Sequence, residues 1–158
     1  ARLAEAVEEL DETISQIRPT IFDLHDTIPD NRLRSRVKAV VEELEPLLGV
    51  QLELTWVGPL DTLVDPSVIT DVEAVVREAM TNVARHAEAS TMRVTIRADT
   101  DRLTVDVSDD GVGLRDNPRR SGLANLRSRA DSRGGTLILE NQEKGGLRLR
   151  WSIPLSML

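Results

Sequence analysis

The order in which helical and strand patterns follow one another most constrains the fold of this 158-residue chain. Within residues 32–153, apolar residues recur at helical spacing in three segments. In five other segments they alternate with polar residues with period two. In chain order these are a helix over 32–48, a strand over 50–56, a helix over 65–87, strands over 92–98 and 103–108, a helix over 122–133, and strands over 137–139 and 147–153. This order predicts an α+β two-layer sandwich, a sheet covered on one face by helices.

Capping residues support these boundaries. Asp65 followed by Pro66 is typical of an N-cap and first helical position, because proline has no N–H to satisfy and its φ suits the first turn. Gly49 stands where the previous helix needs a C-cap. The glycine pair 134–135 ends the last predicted helix in the same way.

The first residues carry a separate pattern. Seven apolar residues from Leu3 to Leu24 are spaced alternately four and three apart, which is an a/d heptad seam. So narrow a seam must be buried against other helices, in a dimerising hairpin or bundle or on the chain's own domain. Pro19 predicts a kink, because it lacks the N–H that would bond to the preceding turn. We expect residues 1–28 to be one helix of a hairpin whose partner lies upstream, and residues 29–158 to form the main domain.

Composition excludes several function classes. The net charge of −7 argues against a general nucleic-acid binder, because that affinity comes largely from phosphate neutralisation. The chain has no cysteine, which removes disulfides and Cys-ligated zinc and fits a reducing compartment. No apolar run approaches the length of a transmembrane helix. We therefore expect a cytoplasmic fragment with no nucleic-acid partner and no membrane contact of its own.

One polar edge of the helix over 65–87 carries residues that suit phosphate and metal chemistry. Glu78 and Asn82 are neighbours at i, i+4, and Arg85 and His86 extend the same flank. An amide oxygen can ligate a hard divalent ion, and a carboxylate can accept a proton. The alternative interpretation is an ordinary solvated helix edge.

A second group follows the strand over 103–108. Asp109 and Asp110 precede Gly111 and Gly113. These glycines allow positive φ and a close approach of the backbone to a ligand. Gly122 then opens a helix, whose free N–H groups favour a phosphate. Six arginines lie nearby, which is unusual in an acidic chain and fits a polyphosphate. They are Arg115, Arg119, Arg120, Arg127, Arg129 and Arg133. The alternatives are a surface turn and a solvated basic helix.

Taken in order, these signals resemble the nucleotide-binding module of the GHKL superfamily, which includes gyrase B, Hsp90, MutL and the histidine kinases. Residues 77–87 (REAMTNVARHA) look like the N box of sensor histidine kinases related to NarX and DesK. Residues 122–130 (GLANLRSRA) look like their shortened second glycine box. Residues 9–24 resemble the second dimerisation helix of actinobacterial GAF-sensor kinases of the DevS/DosT type.

The resemblance implies a Bergerat-type ATP-binding domain at residues 29–158, with ATP and Mg²⁺ as ligands. Asn82 would ligate the Mg²⁺ that bridges the phosphates, and Glu78 would be the acidic helper or general base near the γ-phosphate. The adenine amine would be bound by Asp109. The remaining implied nucleotide contacts are Arg85, His86, Gly111, Gly113, Gly122 and Leu123. Leu147 departs from the family pattern, since many relatives have Thr or Ser at this adenine contact.

The implied activity is a two-component histidine kinase that transfers the γ-phosphoryl of ATP to a histidine and then to a cognate response regulator, with a homodimer in the full-length protein. Residues 23–26 (DLHD) are typical of the phosphorylation site. His25 stands too close to Asn82 for that role, and Pro29 stops any long helix, so we expect the acceptor on an upstream helix. The alternatives are an anti-sigma-type GHKL serine kinase and a nucleotide-dead dimerisation module.

Overall fold

The structure is a computed structural model in which the chain divides into two units, residues 1–31 and 32–158. The residues it describes are 3, 6, 7, 9, 10, 13, 32–114 and 121–155. In the first unit, Leu3, Val7 and Leu10 are helical and lie on the heptad seam. Their exposed fractions are 83%, 54% and 61%, so these three side chains are exposed. Pro19 and His25 lie outside the described residues, and the hairpin role of residues 1–28 stays a prediction.

The second unit contains four α-helices and five strands among its described residues. The helices are α1 (Leu33–Leu48), α2 (Leu60–Leu63), α3 (Pro66–Asn82) and α4 (Ser121–Ser132), and a π-helical turn, Val83–Ala87, continues α3. The strands are β1 (Gln51–Val57), β2 (Thr91–Ala98), β3 (Arg102–Asp109), β4 (Thr136–Asn141) and β5 (Leu147–Pro154). No helix in the described part of the chain is long and apolar enough to span a bilayer.

The strands form one mixed sheet in the order β1-β2-β3-β5-β4. β1 pairs with β2 in parallel, and every other neighbouring pair is antiparallel. In β2 and β3 buried residues alternate with exposed or half-buried ones, because only one face of the sheet is covered. The predicted two-layer α+β fold is therefore confirmed.

Local capping also agrees with the sequence. The Asp65 side chain accepts a hydrogen bond of 2.8 Å from the Ser67 backbone N–H at the start of α3. Hydrogen bonding to the Ser67 side chain, and then to its backbone N–H, lowers the pKa of Asp65. Gly49 ends α1 with a φ of +66°. Two features differ from the expectation: α2 is an extra short helix after Gly58-Pro59, and the predicted last turn of α3 is a π turn.

The covered face is held by an aliphatic core and one tryptophan. Trp151 on β5 is fully buried and donates its indole N–H to the carbonyl of Leu126 on α4, at 3.2 Å. This bond satisfies the one polar atom of the ring and ties α4 to the sheet. Asp71 on α3 is buried and accepts hydrogen bonds from Arg129, at 2.5 Å, and from Arg133. These two arginines therefore tie α4 to α3 and are already paired with a carboxylate.

The uncovered face of the sheet carries an ion-pair cluster. Asp106 on β3 accepts hydrogen bonds from Arg148, at 2.8 Å, and from Arg150, at 3.0 Å, both on β5. Partial burial opposes ionisation of Asp106, but the two arginines outweigh it and hold the pKa of this carboxyl below its ordinary value of 3.8. The cluster therefore stabilises the β3–β5 pairing only while Asp106 is charged.

We expect Asp106→Asn to lower the free energy of unfolding at pH 7 by about 1 kcal/mol, since both arginines are partly exposed and solvent screens the pair. Because the folded-state pKa is the lower one, this stabilisation is present above the unfolded-state pKa and is lost as the pH falls through the folded-state pKa. Denaturant unfolding of both proteins from pH 7 to pH 3 measures the difference. A difference that stays constant below pH 4 would contradict the ionic origin of this effect.

Candidate functional site

A cleft on the covered side of the sheet joins α3 and its π turn to the ends of β3 and β5. It measures about 460 Å³ in total, including the part open to solvent. Polar and apolar residues from four segments line it: Ala79, Asn82, Val83, His86, Val107, Asp109, Gly113, Leu147 and Leu149. The structure thus brings Asn82 and Asp109, which the sequence placed on separate elements, to the same cavity.

The strand register of β3 places Asp109 in the cleft. Leu103, Val105, Val107 and Asp109 occupy alternate positions, and all four are buried. Asp109 is therefore the last residue on the core-facing side of the strand, with only 8% of its surface exposed. Its Oδ1 accepts hydrogen bonds from the N–H of Gly111, at 2.9 Å, and from the N–H of Leu147, at 3.4 Å. Both donors are backbone groups, so a side-chain change at Leu147 leaves its bond in place.

Two glycines allow the backbone to close around this carboxylate. Gly113 lines the cleft with a φ of +73°, and Gly146 has a φ of +93°. A Cβ on Gly146 would lie 1.9 Å from the carbonyl oxygen of Asp109. Gly146 is therefore required for the turn before β5 to lie against the end of β3.

The other wall is the end of α3. Asn82 is the last α-helical residue, and the backbone widens immediately after it into the π turn Val83–Ala87. Single π turns occur often at functional sites, because the extra residue re-aims the side chains around it. Asn82 is half-buried and His86 is exposed, and both line the cleft.

Glu78 does not line the cleft but contacts the first turn of α4. A Cβ on Gly122 would lie 1.9 Å from Glu78 Oε1, so the glycine leaves room for the carboxylate in this position. A carboxylate is favourable at a helix N-terminus, where free N–H groups create positive potential. The structure thus connects two residues that the sequence analysis singled out independently.

The remaining predicted site residues are arranged differently. Gly111 contacts Asp109 through its N–H, Arg85 is exposed on the π turn, and Leu123 packs in the core with 7% exposure. None of these three lines the cleft, and their contacts with a nucleotide stay predictions. Arg115, Arg119 and Arg120 lie outside the described residues.

Metal binding at this site would depend on the phosphates of a bound nucleotide. Within residues 32–114 and 121–155, no cluster of three or more His, Asp or Glu could hold an ion alone. Mg²⁺ usually keeps several waters and takes one or two protein oxygens together with substrate phosphates. A single amide oxygen from Asn82 fits that donor set.

Three residues at the site carried no clear signal in the sequence. Asn141 contacts the loop after β3, Gln142 contacts the last residue of β3, and Gly146 contacts Asp109 from the turn before β5. The glycine pair 145–146 lies between the last two predicted strands, but nothing in the sequence showed that it lies against Asp109. The adjacent amides Asn141 and Gln142 near the end of a predicted strand were the one sequence feature that could have indicated a role at the site.

With the geometry established, comparison with known proteins gives the family. The model of the family described as histidine kinase-, DNA gyrase B-, and HSP90-like ATPase matches residues 67–157. The chain belongs to this family. The matched region begins at the start of α3 and includes both walls of the cleft.

Curated relatives are sensor kinases. The chain is 29% identical over 152 residues to the sensor histidine kinase NarS of Mycobacterium tuberculosis, covering 91% of this chain and 35% of that protein. It is 29% identical over 119 residues to the sensor histidine kinase YxjM of Bacillus subtilis, covering 75% and 29%. It is 27% identical over 147 residues to the nitrate/nitrite sensor protein NarX of Escherichia coli, covering 91% and 24%. The chain thus spans about a quarter to a third of the length of these relatives.

Solved structures of low sequence identity share the fold. The catalytic domain of histidine kinase ThkA in a nucleotide-free form superposes with a TM-score of 0.58 at 19% identity, covering 78% of this chain and 94% of that one. The Acinetobacter baumannii histidine kinase AdeS gives a TM-score of 0.65 at 17% identity, covering 96% and 81%. These likenesses establish the histidine kinase catalytic-domain fold.

Two glycine substitutions separate steric contact from backbone strain. Gly49→Ala places a Cβ where no atom lies within 4 Å, so we expect only the cost of positive φ, about 1 kcal/mol. Gly146→Ala adds a collision with the backbone of Asp109, and we expect at least about 3 kcal/mol. Chemical denaturation measures both. Equal losses would show that the close approach of Gly146 to Asp109 is wrong.

Proposed function

We propose that this chain is the ATP-binding catalytic module of a two-component sensor histidine kinase. It would bind Mg²⁺-ATP in the cleft between α3 and the turn after β3, and transfer the γ-phosphoryl to a histidine on an upstream helix. The observation that carries this proposal is that Asn82 and Asp109 line the same cleft. In the arrangement that the resemblance implies, these two residues would bind opposite ends of the ATP molecule. The sensor-kinase names of its relatives favour a histidine over a serine acceptor.

Each wall of the cleft would bind one end of the nucleotide. The buried carboxylate of Asp109 would accept a hydrogen bond from the adenine amine, while its Oδ1 is held by two backbone N–H groups. Asn82 would supply an amide oxygen to Mg²⁺, and His86 would lie along the phosphates on the same wall. When bound, Mg²⁺ would neutralise phosphate charge, and phosphoryl transfer requires mainly such neutralisation together with positioning from its site.

Glu78 would act next to the phosphates. Its carboxylate lies against Gly122 at the start of α4, where helix N–H groups also favour an anion. In the transfer, a bond would form between an imidazole nitrogen of the acceptor and the γ-phosphorus, the bond to the bridging oxygen would break, and ADP would leave. Glu78 would accept a proton from the imidazole.

The wider setting is also a proposal. A phosphorylated histidine would pass its phosphoryl group to a cognate response regulator, and the heptad seam of residues 3–24 would contribute to a homodimer in the whole protein. The use of ATP and the lack of cysteine favour the cytoplasm.

Nucleotide binding tests the cleft directly. We expect a fluorescent mant-ATP titration with Mg²⁺ to show saturable binding, and Asp109→Asn to weaken it by about tenfold or more, because the new amide replaces an acceptor with a donor. Asn82→Ala should abolish most of the difference between Mg²⁺ and EDTA. Asp99→Asn, an exposed turn residue, is the matched control. Unchanged affinity in both site variants would count decisively against the proposal.

Phosphoryl transfer tests the acceptor. Incubated alone with labelled ATP, the chain should incorporate little label, whereas a histidine-bearing two-helix fragment from a sensor-kinase relative should become labelled. Glu78→Gln should slow that transfer by about 10²-fold or more with little change in mant-ATP affinity, because general-base catalysis contributes on this scale. Strong self-labelling that disappears in His25→Gln would instead identify His25 as the acceptor.

A further inference from the structure

The turn after β3, residues 109–114, is held by two adjacent amide side chains at the end of β4. We propose that Asn141 and Gln142 are positioning residues for nucleotide binding, each holding one end of this turn so that Asp109 and Gly113 keep their places in the cleft. This inference rests on the proposed nucleotide site. It adds a pair of residues that need not touch the nucleotide themselves.

Gln142 holds the first end of the turn. Its Nε2 donates to the backbone carbonyl of Asp109, at 2.8 Å, and to the backbone carbonyl of Leu147, at 3.4 Å. Both acceptors are carbonyl oxygens, so only the NH₂ group of the amide can face them. The half-buried side chain thereby bridges the end of β3 and the start of β5, the two strand ends that also share the carboxylate of Asp109.

Asn141 holds the second end. Its Oδ1 accepts a hydrogen bond of 2.6 Å from the N–H of Leu114, while its Nδ2 lies 3.5 Å from the Leu114 carbonyl oxygen. The short contact requires an acceptor, so the amide oxygen faces Leu114. Asn141 also lies against Gly113, where a Cβ would come within 2.5 Å of Oδ1.

The turn needs such support because of its composition. Gly111 and Gly113 give it a large choice of backbone conformations, and fixing them costs more entropy than fixing other residues. Two side-chain hydrogen bonds to the backbone at its ends restrict that choice before the ligand arrives. A preformed turn spares the nucleotide this cost, which appears as higher affinity.

The two amides use different atoms to hold the turn, since Asn141 accepts through its oxygen and Gln142 donates through its nitrogen. This difference provides a test. Asn141→Asp keeps the acceptor that faces the Leu114 N–H. Gln142→Glu is of nearly equal size but replaces a donor with an acceptor facing two carbonyls. The same chemical change at neighbouring positions should therefore have opposite consequences. A general loss of stability would not separate the two variants in this way.

The experiment is a mant-ATP titration with Mg²⁺ on the whole chain. We expect Asn141→Asp to bind within about threefold of wild type, and Asn141→Leu and Gln142→Glu to bind about tenfold more weakly, the loss typical of one hydrogen bond. Glu143→Gln, at an exposed position in the turn between β4 and β5, is the control for charge. Thermal melting of each variant checks folding, and Gln142→Met replaces Gln142→Glu should the latter not fold.

The outcomes separate this inference from the function on which it rests. Wild-type affinity in Asn141→Leu and in the Gln142 variant would overturn the positioning role alone. An equal loss in Asn141→Asp and Asn141→Leu would overturn it as well, because the acceptor would then not be what holds the turn. Failure of the wild-type chain to bind nucleotide would overturn the proposed function, and the positioning role with it.

Discussion

The burial of Asp109 at the end of β3 is the constraint on which the site depends. Three aliphatic residues precede it on the core-facing side of the strand, and their packing fixes the register that carries the carboxylate inward. A shift of one residue would expose Asp109 and bury Asp110. Since burying a carboxylate is costly without partners, the backbone N–H groups of Gly111 and Leu147 are as necessary as the register.

The rest of the site is arranged around that carboxylate by close backbone approach. Gly146 lets the turn before β5 lie against the carbonyl of Asp109, and Gln142 binds the same carbonyl from the side. Across the cleft, α3 is fixed through Asp71 to α4, so the helix whose first turn contains Gly122 and the helix that carries Glu78 are held together. One wall is therefore rigid helix, and the other is a glycine-containing turn that depends on side-chain support.

Most of the fold could be predicted from the sequence because its signals are local. Strand alternation located β2 and β3 to within a residue, and Asp65 and Gly49 act as the caps that their residue types predict. The short helix α2 and the π turn after Asn82 could not be predicted. A four-residue helix has no periodicity to detect, and a π turn depends on how the end of α3 packs.

The sequence by itself determined the fold class, the family resemblance and the two walls of the cleft, since these depend on periodicity and on motifs of a few adjacent residues. Only the tertiary structure decided which residues meet. It placed Glu78 against Gly122, paired Arg129 and Arg133 with Asp71, and brought Asn141 and Gln142 to a turn that lies far from them along the chain. The contacts of Asn141 and Gln142 depend on the pairing of β5 between β3 and β4, and no local pattern encodes that order.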